Sequence, residues 1–206
     1  AVWVEKAKIT VVAKSDEVTY DGNNHVVDGF NSLTIDGYTV FGLSASVSGT
    51  DAGTYNNVIT GEATVTKDGK DVTDRVVVTK QKGTLTINKR QVTLTSEGGS
   101  KTYDGTPLTA EGTISGFVNK ETATFTTTGS QTEVGNSKNA YSIEWNGTAK
   151  STNYQISETV GTLTVTQQSI DPNDPDHKYN GVTVNSPSNV VYDGKEHKWC
   201  PTVADK

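Results

Sequence analysis

The chain has 206 residues, 32% of them apolar, with 18 Lys and Arg against 24 Asp and Glu and a pI near 5.0. Its bases are interleaved with acids, so it lacks the clustered positive charge that binds phosphate, and a nucleic-acid partner is excluded. The single cysteine, Cys200, excludes a disulfide within the chain, and no apolar run is long enough to span a membrane as a helix.

In chain order, alternation of period two predicts strands over 8–12, 39–43, 45–47, 63–66, 75–79, 85–87, 92–94, 123–127, 141–145, 154–156 and 163–165. β-Branched residues dominate these runs, and Gly, Asn or Asp separates them. Thr on one face with Leu, Ile or Val on the other describes antiparallel strands with one wet side. No segment carries helical apolar spacing over three turns. Residues 115–121, around Phe117, are the one candidate for a short helical turn. The pattern predicts an all-β protein of Ig-like sandwich type. The alternative is a β-grasp arrangement in which the Phe117 segment crosses the sheet as a short helix.

The chain repeats itself. Tyr20-Asp21-Gly22, Tyr103-Asp104-Gly105 and Tyr192-Asp193-Gly194 lie 83 and 89 residues apart, and Gly83-Thr84-Leu85-Thr86-Ile87 returns 78 residues later as Gly161-Thr162-Leu163-Thr164-Val165. A period of this size describes an array of small domains. The expected division is a closing strand of a preceding repeat at 1–6, a first domain at 7–88 and a second at 89–166. An acidic, proline-containing linker follows at 167–181, and the opening of a third repeat at 182–206. With no methionine, the chain reads as a window from a longer tandem array. Asn88-Lys89-Arg90 is too short to be a flexible linker, so the junction it makes should be tight.

Asp-Gly pairs suit positions that need positive φ, and the preceding Tyr can cover such a turn with its ring. The residues Tyr20, Asp21, Gly22, Tyr103, Asp104, Gly105, Tyr192, Asp193 and Gly194 are therefore read as structural turn motifs, at a hairpin corner that pins the first strand. An exposed Tyr/Asp contact pair is the functional alternative. Tyr141, Ile143 and Trp145 share one face of a strand. That face is either core or, at Trp145 and Tyr141, a platform for a glycan or protein.

These motifs resemble the opening segment of the YDG and MBG repeat families of bacterial surface proteins. Asp51-Ala52-Gly53-Thr54-Tyr55 is similar to the families' Ala-Gly-Thr-Tyr segment. Asn153-Tyr154-Gln155-Ile156, followed by Gly161-Thr162-Leu163-Thr164-Val165, is similar to their closing segment. The copies have diverged, because the first has Arg75-Val76-Val77-Val78 where the second has Asn153-Tyr154-Gln155-Ile156. The resemblance implies an exported, multidomain adhesin or stalk of a Gram-positive bacterium, wall-anchored through a region outside this chain. Its partners would be the neighbouring repeats, with host glycan or extracellular matrix as a second class.

Chemistry has little foothold. His25 and His197 stand five residues beyond their tyrosines, but the second copy has Leu108 there, and His177 sits in the linker. No nucleophile lies in a Gly-x-Ser-x-Gly context and no zinc spacing is present, so no enzyme, cofactor or metal is expected. Asp171, Asp174 and Asp176 could offer oxygens to Ca²⁺, yet they lack the glycine and distal glutamate of an EF-hand loop. Lys8 and Asn88 are the candidate pair for an isopeptide bond, which would lower the intact mass. Two roles remain: a structural stalk, or a module that contacts a host ligand directly.

Overall fold

The computed structural model describes residues 5–168, together with the backbone of two short strands farther along. The third Tyr-Asp-Gly (Tyr192, Asp193, Gly194) lies outside the described residues. So do Trp3, His177, His197, Trp199, Cys200 and the three linker aspartates. The first repeat holds β1 (Ala7–Val12), β2 (Asp16–Thr19), β3 (His25–Asp28), β4 (Thr34–Ile35), β5 (Tyr38–Phe41) and β6 (Ser46–Gly49). It continues with β7 (Gly53–Asn57), β8 (Thr64–Lys67), β9 (Lys70–Asp71), β10 (Val76–Gln81) and β11 (Gly83–Asn88). The second holds β12 (Arg90–Ser96), β13 (Gly99–Thr102), β14 (Gly112–Ser115), β15 (Thr124–Thr127), β16 (Gly135–Lys138), β17 (Tyr141–Glu144), β18 (Tyr154–Val160) and β19 (Thr162–Thr166). Farther on, β20 (Thr183–Val184) pairs antiparallel with β21 (Val203–Ala204).

The fold is all-β and sandwich-like, made of several small sheets. Two single 3₁₀ turns, Thr73–Arg75 and Ser151–Asn153, are its only helical content among the described residues. The Phe117 segment is not a helix, so the crossing helix of the β-grasp alternative is missing there. Asn119 and Lys120 take φ of 48° and 60°, and Glu121 N–H bonds back to Val118 O at 2.7 Å. Two successive left-handed residues close a tight turn and cannot continue a right-handed helix.

The strands that begin and end a repeat run parallel, where alternation alone had suggested antiparallel pairing. Alternation reports which face is buried and carries no information about direction. Ala7 through Val12 pair with Val76 through Gln81, and Asp16 through Thr19 pair with Leu85 through Asn88 in the same register. The ladder thus resumes without slipping after a break at Ala13, Lys14 and Ser15. β11 also pairs antiparallel with β7. The second repeat reproduces this arrangement, with β19 between parallel β13 and antiparallel β16.

Side chains close the break. Asn57, fully buried, donates from Nδ2 to Lys14 O at 3.0 Å, and Ser15 Oγ accepts Thr84 N–H at 3.0 Å. Gly83 lies so close that an added Cβ would collide with the Lys14 and Ala13 carbonyls. In the second repeat, Asn139 donates to Glu97 O and Ala110 O, each at 2.9 Å, and Gly161 lies against Glu97. Asn57 Oδ1 and Asn139 Oδ1 are both buried without a hydrogen-bond partner.

Two apolar clusters belong to the first compact unit. One gathers Ile9, Val11, Ala13, Val40, Ala45, Ile59, Val65 and Val76. The other joins Tyr20, Val27, Leu85 and Ile87 of the first repeat to Val92, Ala149 and Tyr154 of the second. This unit comprises the chain up to Leu94 with Ile114–Thr124 and Ile143–Glu158; the second comprises Thr95–Thr113, Phe125–Ser142 and the chain from Thr159. The compact units therefore cut across the repeats at 7–88 and 89–166. The physical reason is that only Lys89 separates β11 from β12, so the buried face of Leu85 and Ile87 runs on into Val92.

Candidate functional site

The Tyr-Asp-Gly tripeptides follow β2 and β13. Tyr20 N–H bonds to Asn88 O and Tyr103 N–H to Thr166 O, each at 2.8 Å, which extends both parallel ladders by one residue. The tripeptide is not a hairpin corner, because β2 pairs with β11 while β3 pairs with β6. It is a bend that carries the chain from one sheet to another. Gly22 and Gly105 take φ of 78° and 75°, a region that favours glycine, whereas neither aspartate does.

The aspartates act through their carboxylates. Asp21 Oδ1 accepts Asn23 N–H at 2.9 Å and lies 2.9 Å from His25 Nε2. Asp104 Oδ1 accepts Thr106 N–H at 2.9 Å, Thr106 Oγ1 at 2.8 Å and Lys101 Nζ at 2.7 Å. These donors favour the ionised form. The Asn23 amide and then His25 bring Asp21 down to about 2. Lys101 and then the Thr106 amide bring Asp104 down to about 2.

Two tyrosines of the first compact unit, Tyr20 and Tyr154, meet at a carboxylate. Tyr20 hydroxyl donates to Glu121 Oε1 at 2.6 Å and Tyr154 hydroxyl to Glu121 Oε2 at 2.7 Å. Val118 N–H in turn donates to the Tyr154 hydroxyl at 3.2 Å. The two tyrosine rings meet edge to face, 5.4 Å apart at 86°. Burial is the main cause that pushes both phenols up to about 12, and the Glu121 carboxylate adds to it. The left-handed turn after Val118 sets Glu121 in place, and Asn119 Nδ2 donates to Asp21 O at 3.3 Å.

A second contact lies in the same unit. Asn153, fully buried, accepts Ala52 N–H at 2.8 Å and donates from Nδ2 to Asp51 Oδ1 at 2.8 Å. Lys150 Nζ reaches the two Asp51 oxygens at 3.1 and 2.9 Å. Asn153 first and Lys150 second hold Asp51 below the usual carboxylate range. The Asp51 segment of one repeat and the Asn153-Tyr154 segment of the next thus recognise each other.

Trp145 is half-buried, stacked on Tyr154 with centroids 6.1 Å apart at 19°, and edge-on to Phe117 at 6.1 Å. Tyr141 packs on Phe125 at 5.8 Å. Each ring is thus engaged by an aromatic neighbour of its own repeat. Lys8 stands opposite Val77 and Asn88 opposite Thr19, at opposite ends of the terminal ladder, so the isopeptide pair is not brought together. Three surface depressions of about 380, 250 and 270 Å³ are lined around Asp74, Phe125 and Ile87 respectively. Among the described residues, no Tyr-Asp-Gly residue lines any of the three, nor does Trp145. Among the described residues, no group of three or more His, Cys, Asp or Glu is placed to hold a metal. No helix among them is long and apolar enough to cross a membrane.

The residues that the sequence reading missed are Glu121, Asn57 and Asn139. Asn57 and Asn139 precede Gly83 and Gly161 in the two copies, and that shared order was the available signal. Glu121 has no motif around it.

Comparison with known proteins agrees with the second repeat's segments. Residues 92–164 match the family model of the MBG domain (YGX type), which supports an MBG-type domain there. Neither the curated proteins nor the solved structures contain a match to the chain.

Proposed function

We propose that these repeats are structural spacers of an exported bacterial surface protein, holding an adhesive region away from the cell. The observation that carries this reading is the parallel pairing of the strands that open and close the first repeat. A pull on the two ends of that repeat loads the ladder lengthwise, so its hydrogen bonds must shear together rather than open one after another. The side chains that a binding module would present are turned to internal use: Tyr20 on Glu121, Asp21 on its own turn, and Trp145 on Tyr154. An MBG-type domain at 92–164 supports a surface-protein repeat. Anchoring to the cell wall through a region outside this chain, and a Gram-positive source, belong to the same proposal.

The competing role is direct contact with host glycan or extracellular matrix. Screening the full chain against arrayed glycans and matrix proteins separates the two. The spacer reading expects no saturable binding at high protein concentration. Saturable binding that is lost in Trp145→Phe, with the fold retained, would overturn it.

A further inference from the structure

The two repeats carry the same end face, and among the described residues only the first is covered. Register makes them equivalent: Ile87 pairs with Gly53 as Val165 pairs with Gly135, and Asn88 with Thr19 as Thr166 with Thr102. Tyr20, Asp21, Gly22, Asp51 and Ala52 therefore correspond to Tyr103, Asp104, Gly105, Glu133 and Val134. The chemistry is kept, with a phenol, an acidic turn and a second carboxylate beside a small-to-medium apolar residue.

Exposure differs at every one of these positions. Tyr20 is buried and Tyr103 half-buried; Asp21, Gly22, Asp51 and Ala52 are half-buried, whereas Asp104, Gly105, Glu133 and Val134 are exposed. Val134 is 53% exposed. A Cβ on Gly22 would strike the Asn119 side chain, but one on Gly105 would meet nothing within 4 Å. No described residue bonds the Tyr103 hydroxyl, although its counterpart donates to Glu121.

We propose that Tyr103, Asp104, Glu133 and Val134 form a docking surface for a further repeat, one that carries a carboxylate, a lysine and an Asn-Tyr pair equivalent to Glu121, Lys150, Asn153 and Tyr154. The first face shows what such a surface takes, because it is covered by those four residues. A second copy of this chain is a poor occupant. Its Glu121, Asn153 and Tyr154 are already engaged by its own first repeat. That first repeat offers Arg75 and Val76 at the end of its 3₁₀ turn, where the second offers Asn153 and Tyr154. Neither of the two can supply the hydroxyl and amide that the face requires. This inference rests on the tandem-array reading and adds a rule for which repeats can follow one another.

The test places an additional copy of residues 89–166 directly after Thr166 of the full chain and follows amide hydrogen exchange. Ala52 N–H, bonded to Asn153, serves as the internal reference. Val134 N–H should exchange fast in the original chain and slow by roughly three- to tenfold or more in the extended one, as one added hydrogen bond requires. Unchanged exchange at Val134, with core amides of the added copy protected, overturns the proposal. An added copy that stays unfolded overturns it equally, because it begins on the same Lys89-Arg90 and follows a closing strand as directly as the second repeat follows the first.

Two measurements need only the original chain. Tyr103→Phe should leave its stability unchanged while Tyr20→Phe lowers it; equal losses would mean that the Tyr103 hydroxyl is already in use. Sedimentation should show a monomer, and self-association abolished by Val134→Ser would overturn the choice of occupant. None of these outcomes touches ligand binding, which the glycan and matrix screen reads separately.

Discussion

Glu121 accepts two phenolic hydroxyls from residues that are 134 positions apart in the chain, Tyr20 and Tyr154, and no other described contact joins the two repeats through so short a pair of bonds. Hydrogen bonds to a charged group contribute about 1.5–3 kcal/mol each, and removing one donor leaves a half-buried carboxylate short of a partner. Tyr20→Phe or Tyr154→Phe should therefore lower the urea unfolding free energy by about that amount. Glu121→Gln combined with either should lose less than the sum, since both changes break the same bond. The pH dependence has a definite sign. Both phenols are pushed up to about 12 from an ordinary 10, so the folded chain holds its protons longer than the unfolded one. Their stabilising contribution is complete below pH 10 and is lost as pH rises through 12. Either Phe variant should flatten this alkaline limb, and a limb unchanged in both would contradict the account. The Lys150 pair with Asp51 is exposed on both sides and should matter far less than Asn153.

At the scale of the strand, the break between β1 and β2 is governed by a glycine and a buried amide. Gly83→Ala would drive a methyl into the Lys14 carbonyl, and a backbone atom cannot rotate out of the way as a side chain would. Overpacking of this kind costs about 1–3 kcal/mol or more. Gly83→Ala and Gly161→Ala should both show that loss in thermal or urea unfolding, whereas Gly69→Ala, with nothing within 4 Å of the added carbon, should lose only what its positive φ of 72° imposes. Strands such as β1 and β11 were legible in the sequence because one buried face leaves a period of two, as Ile9 and Val11 or Leu85 and Ile87 show. Gly99-Ser100-Lys101-Thr102 has no such pattern. It is a strand because β19 lies beside it with free ladder groups, and a tertiary cause of that kind leaves no local trace. The same holds for the site. Tyr20 and Asn153 stand in recognisable motifs, but the pairing of Tyr20 with Glu121 depends on a left-handed turn at two non-glycine residues. Their sequence, Asn119-Lys120, does not announce it.

Across the molecule, the arrangement that recurs is a parallel ladder between the strands that open and close a repeat, and its mechanical consequence depends on where force enters. In the first repeat, β1 and β2 run beside β10 and β11 in one register from Ala7 opposite Val76 to Thr19 opposite Asn88. Tension between residues 6 and 89 draws the two strands in opposite directions along their length, so all the ladder bonds carry it at once. Tension between residues 6 and 75 is applied to neighbouring strand ends and peels the same ladder one pair at a time. Cysteines introduced at Lys6 and Lys89, or at Lys6 and Arg75, with Cys200 replaced, allow both geometries to be pulled in single molecules. Rupture force should be clearly higher for the 6/89 attachment than for 6/75, although both break identical bonds. Equal forces would show that the ladder does not bear the load, and the spacer reading would then lose its physical basis.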